Sequence, residues 1–86
     1  MPYAVEFTSS ARREFLRLPK QAQTRLAAPM HRLMDDPRPH GVRKLEGEQF
    51  AYRIRVGRYR VLYDILDEQQ IVVITKVVRR AESTYR

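Results

Sequence analysis

Apolar positions recur along this chain with two different periods, and each period predicts a different element. Tyr3, Val5 and Phe7 alternate with Ala4 and Glu6, as in a half-buried strand. In "ARREFLRL", Ala11, Phe15 and Leu18 fall on one side of a short helix that Ser9 or Ser10 can cap. Pro19 suits a break. From Lys20 to about Asp36 the spacing of Ala22, Leu26, Met30, Leu33 and Met34 predicts a second, longer helix. Pro29 lies inside it and is expected to kink or divide it, because proline removes a backbone donor. Asp35 and Asp36, followed by Pro37, end the pattern.

After the basic loop "PRPHGVRKLEGEQ" the period returns to two. Strands are predicted over Phe50–Val56, Tyr59–Leu66 and Ile71–Val78, with "DEQQ" as the second turn. The link Gly57-Arg58 suits a tight hairpin, Gly57 taking positive φ. The expected fold is α+β: two N-terminal helices on one face of a mostly antiparallel four-stranded sheet, in the order β-α-α-β-β-β. The last strand is apolar on both sides, the mark of a central, buried strand. With 86 residues, 43% of them hydrophobic and 31% charged, one globular domain over residues 1–86 is expected.

The hairpin register has a chemical consequence. Val56 opposite Tyr59 puts Arg55 opposite Arg60, Ile54 opposite Val61, Arg53 opposite Leu62 and Tyr52 opposite Tyr63. One face then carries Tyr52, Ile54, Val56, Tyr59, Val61 and Tyr63 for the helices to cover, while Arg53, Arg55 and Arg60 share the other. Opposed like charges destabilise a strand pair, so the arrangement points to an anionic ligand. Asp64 shares that face, but one carboxylate does not balance three guanidinium groups.

Charge across the chain agrees. The formal net charge is +7, and residues 38–60 concentrate it, with Arg38, Arg43, Lys44, Arg53, Arg55, Arg58 and Arg60 against Glu46 and Glu48. Such a patch fits a polyanion such as nucleic acid, or an acidic protein. There is no cysteine, which excludes disulfides, thiolate metal sites and cysteine nucleophiles. His31 and His40 belong to the helix and the loop, too isolated for a metal site and read as surface residues. The opening "MPYAVEFTSS" has neither the basic nor the apolar region of a signal peptide, and no apolar run spans a bilayer, so no membrane partner and a cytoplasmic location are expected.

The opening "YAVEFTSSARREFLRLP", the loop "RKLEG", the hairpin "YRIRVGRYRVLYDI" and the tail "VVRRAESTYR" together resemble the RelE family of toxins, within the RelE/ParE superfamily of toxin–antitoxin systems. The resemblance covers essentially the whole chain. It implies a metal-independent endoribonuclease, with no organic cofactor, that cuts mRNA in the ribosomal A site and so inhibits translation. It also implies a cognate antitoxin as partner, with operator DNA reached only through the antitoxin complex. Carried over residue by residue, the catalytic set is Arg53, Arg55, Arg60, Arg80 and Tyr85, and Arg43, Lys44, Arg58 and Arg79 are further RNA contacts. The chain departs from the family where lysines occur on the second predicted strand, having arginine at both positions. It also has Arg79 where relatives often have histidine. Arginine is a poor general base. Two other readings share the fold: a ParE-like inhibitor that acts by binding DNA gyrase, and a degenerate toxin that only binds its antitoxin.

Overall fold

A computed structural model describes residues 2–45 and 51–79. The elements are β1 (Ala4–Phe7), α1 (Ser9–Leu16), α2 (Lys20–Arg32), β2 (Arg43–Lys44), β3 (Ala51–Val56), β4 (Tyr59–Leu66) and β5 (Ile71–Arg79). They form two helices packed against one mixed sheet with strand order β1-β5-β4-β3-β2. Only the β1–β5 pair is parallel, the helices providing the crossover that parallel strands need. The sheet has five strands rather than the expected four. The additional one is the two-residue β2, formed where the basic loop pairs Arg43 with Arg53 and Lys44 with Tyr52. So polar a segment gives no periodicity from which to infer a strand.

The core follows the predicted helical spacing. Leu26, Met30 and Leu33 are buried against Ile54, Val61, Tyr63, Ile65, Val72, Ile74 and Val77, and Ala11 of α1 joins them. Helix boundaries differ from expectation, α1 ending at Leu16 rather than Leu18. Thr8, not Ser9 or Ser10, caps α1: its Oγ1 accepts from Ala11 N at 3.1 Å. Thr8 also donates its backbone N to Ile74 O at 2.9 Å, so one residue in extended backbone closes the β1–β5 pairing and opens the helix. At the other end α2 stops at Arg32, because the next residues tighten into i→i−3 bonds: Leu33 N to Met30 O (3.2 Å), Met34 N to His31 O (3.0 Å) and Asp35 N to Arg32 O (3.1 Å). Pro29 does not divide the helix. An interior proline costs about 3 kcal/mol, which the burial of three large apolar side chains in the adjoining turns can offset.

The sequence pattern also hides a bulge in β5. Leu62 pairs with Lys76 but Tyr63 pairs with Ile74, leaving Thr75 as an extra residue whose hydroxyl donates to Leu62 O at 3.2 Å. Strict alternation after Val72 and Ile74 would turn Lys76 into the core. The bulge changes the parity, so Val77 is buried and Lys76 is exposed. Beyond Ile74, β5 has no β1 neighbour, and the Val77 backbone N donates instead to Glu14 Oε1 of α1 at 2.8 Å.

Candidate nucleic-acid interface

The β3–β4 hairpin has the register that its turn predicts. Val56 pairs with Tyr59, Arg55 with Arg60, Ile54 with Val61, Arg53 with Leu62 and Tyr52 with Tyr63, and Gly57 takes φ +58°. Tyr52, Ile54, Val56, Tyr59, Val61 and Tyr63 pack in or against the core. Arg53, Arg55 and Arg60 therefore share the side of the sheet away from the helices. The β2 pairing adds Arg43, directly opposite Arg53. Two opposed arginine pairs thus lie side by side across three strands, each a local electrostatic cost.

A cleft of about 330 Å³ opens beside three of these arginines, lined by His40, Gly41, Arg43, Arg53, Ile54 and Arg55 but not by Arg60. Arg43 and Arg55 are exposed, and neither forms a salt bridge among the described residues. Arg60 is half-buried, with Nε and Nη2 shielded from solvent. Asp64, across from Ala51, lies diagonal to Arg53 on the same face. This arrangement can hold phosphate oxygens through several charge-assisted hydrogen bonds. Among the described residues no group of three or more His, Cys, Asp or Glu side chains could hold a metal ion.

Not every nominated residue joins the cleft. Lys44 pairs with Tyr52, so register places it on the helix side of the sheet, away from Arg43. Arg79 pairs with Tyr59 and is likewise on the helix side, because the Thr75 bulge reverses the parity that would have aligned it with Arg60. Arg58 occupies the hairpin turn itself. Arg80 and Tyr85 lie outside the described residues. His40 is exposed, as the sequence predicts, and it also lines the cleft. The signal for it was present in "PRPHG": a proline and glycine flanking one residue suit a tight turn.

Arg38, counted above with the basic patch, has a different role. Its Nη1 and Nη2 donate to the two carboxylate oxygens of Asp67 at 3.2 and 2.9 Å, and its Nε donates to the Tyr52 hydroxyl at 3.3 Å. The Tyr3 hydroxyl donates to the same carboxylate at 2.7 Å. These bonds, Arg38's first, hold the Asp67 carboxyl below its ordinary range; in turn they raise the Arg38 guanidinium and the Tyr3 phenol. Tyr63 stacks on Tyr52 with ring centroids 6.0 Å apart and donates its hydroxyl to Pro37 O at 2.8 Å. Burial pushes the Tyr63 phenol well up. At the far edge of the sheet, Val5, Phe7, Phe15, Met30 and Met34 line an apolar groove of about 490 Å³ that carries no comparable chemistry.

A family model described as "ParE toxin of type II toxin-antitoxin system, parDE" matches residues 5–84. The chain is a toxin of the RelE/ParE superfamily. It is 40% identical over 86 residues to the toxin RelG of Mycobacterium tuberculosis, a match covering 95% of each chain. It is 27% identical over 85 residues to the mRNA interferase toxin RelE of Escherichia coli, covering 96% of this chain and 88% of that one. Among solved structures, the archaeal RelE–RelB complex from Pyrococcus horikoshii superposes with TM-score 0.82 at 30% identity, over 95% of this chain and 99% of the other. The RelE-like toxin fold and its place in type II toxin–antitoxin systems are thereby given.

Proposed function

We propose that this toxin is an endoribonuclease that cuts mRNA in the ribosomal A site. The observation that carries the reading is the double opposition of Arg43 with Arg53 and of Arg55 with Arg60 on one face of the sheet, where Arg43, Arg53 and Arg55 line a cleft. A fold keeps such repulsion where a polyanion relieves it. The reaction is attack of a ribose 2′-hydroxyl on the adjacent phosphodiester, giving a cyclic phosphate and a 5′-hydroxyl. It needs in-line orientation and stabilisation of charge on the pentavalent phosphorus. Arg53, Arg55 and Arg60 supply both, with Arg80 completing the clamp and Tyr85 donating a proton or stacking on a base. The name mRNA interferase, borne by the Escherichia coli relative, supports the same chemistry.

The domain spans residues 1–86 and works in the cytoplasm. Among the described residues no helix is long and apolar enough to cross a membrane. The RelB in complex with the archaeal neighbour supports a cognate antitoxin as partner, which neutralises the toxin by laying an acidic or amphipathic segment over the arginines or by displacing the C-terminal piece with Tyr85. The ParE description of the matching family favours a second reading, inhibition of DNA gyrase by binding. Primer extension on message incubated with toxin, with and without programmed ribosomes, separates the two when run beside a supercoiling assay. Ribosome-dependent cuts with normal supercoiling are expected. Blocked supercoiling with intact message would establish the gyrase reading instead.

A further inference from the structure

We propose that His40 is the proton acceptor for 2′-hydroxyl attack in the arginine cleft, an inference that rests on the endoribonuclease reading. The cleft needs such a group. Guanidinium ions donate hydrogen bonds and carry charge but do not accept a proton, so Arg43, Arg53 and Arg55 orient and stabilise without taking one. Among the described residues lining the cleft, His40 alone has a side-chain nitrogen lone pair that can accept a proton.

Its backbone is built to stay there. Val42 N donates to Pro39 O at 3.0 Å, closing a four-residue turn with His40 second and Gly41 third. Gly41 takes φ +93°, the sign that type II turns require at the third position and that residues with a Cβ avoid. The chain is held on both sides of this turn. Upstream, Pro37 O accepts from the buried Tyr63 hydroxyl, and Arg38 is clamped to Asp67. Downstream, Arg43 is registered against Arg53. The turn is therefore tied at both ends, and His40 within it lines the cleft. The charged neighbours that line the cleft with His40 are Arg43 and Arg53 of the paired strands and Arg55 further along.

The step balances without a co-reactant. The imidazole takes the 2′-hydroxyl proton as O2′ bonds to phosphorus and the bond to O5′ breaks. The departing oxygen takes a proton from water, and the imidazolium returns its own to solvent.

The test is single-turnover cleavage of message on programmed ribosomes by wild type, His40→Ala and His40→Gln across pH 5.5–8.5. Toxin binding to the same ribosomes and melting of each variant are measured alongside. Both variants should lose about 10²-fold in the cleavage step with ribosome affinity retained. They should also lose the rise of rate with pH that wild type shows, and free imidazole should restore part of the rate to His40→Ala. Variants that cleave at the wild-type rate with the wild-type pH profile overturn the assignment, as does a loss confined to affinity. A wild-type protein that leaves message uncut overturns the endoribonuclease reading itself, and His40's role with it.

Discussion

Arg38 and the arginines of the β2–β3–β4 face sit on opposite sides of one hairpin, and what stands opposite each differs. Arg38, on the helix side, has a bidentate carboxylate, a phenol within reach and a backbone turn to hold down. Across the sheet, Arg43 faces Arg53 and Arg55 faces Arg60, cation against cation. The first is a fastening whose charge is consumed internally. The second sets like charge against like charge on the face where RNA is proposed to bind. Guanidinium is therefore structural or functional according to what the register places opposite it, and residue type alone does not distinguish the cases.

The sharpest way to break this contrast is to remove one member of the second set. Arg60→Ala deletes a half-buried guanidinium from the proposed charge clamp, and message cleavage should fall by about 10²–10³-fold, the usual loss for one preorganised donor. Single-turnover rates on programmed ribosomes measure it. An Arg60→Ala protein that melts like wild type and still cuts at its rate would show that the opposed arginines do not carry the reaction.

Tyr63→Phe probes the fastening from its buried end. Tyr63 is fully buried, and its hydroxyl satisfies Pro37 O at 2.8 Å. Losing that bond while leaving the carbonyl in place should cost about 1 kcal/mol in urea unfolding. An unchanged midpoint would mean that the loop is held by Arg38 alone.

How much of this contrast was legible beforehand depended on periodicity. The hairpin was legible to the residue, because Gly57-Arg58 sets the turn and a period of two then determines which side chains are opposed. The core positions Leu26 and Met30 of α2, and Leu33 just past its end, were equally plain from their spacing. What escaped was aperiodic. Neither the Thr75 bulge, which moves Arg79 to the wrong side, nor β2, which separates Lys44 from Arg43, leaves a hydrophobic signature. The Arg38–Asp67 pairing joins residues 29 positions apart through polar atoms, and no local pattern announces it. His40 is exposed, as expected, and its place beside the cleft depends on what the two ends of its turn are tied to.

Arg55→Gln sharpens the comparison by setting stability against binding. It relieves the opposition with Arg60, so thermal or urea unfolding should show a gain of a few tenths of a kcal/mol. The same change removes one phosphate contact. The slope of log affinity for single-stranded RNA against log salt should become shallower by about 0.7. A variant less stable than wild type would mean that the two guanidinium groups stack or share an anion rather than repel.

The smallest effect belongs to the exposed end of the fastening. Arg38 and Asp67 are about half solvent-exposed, with side-chain exposures of 44% and 52%, so water and salt screen their attraction. Asp67→Asn should therefore lower the melting temperature only slightly at pH 7, and less still at high salt. The sign of the pH dependence follows from the direction of the carboxyl shift. Because the folded state holds Asp67 below the ordinary carboxylate value of about 4, the unfolded chain takes up the proton first as pH falls. The pair's contribution is thus complete above the unfolded value and disappears as pH drops through the folded one. The difference in melting temperature between wild type and Asp67→Asn should accordingly be constant from pH 7 to about 5 and shrink toward zero in stronger acid. A difference that persists there would locate the fastening in the Tyr52–Tyr63 stack and the Pro37 hydrogen bond rather than in the ion pair, and Arg38 would then owe its place to the aromatic rings beneath it.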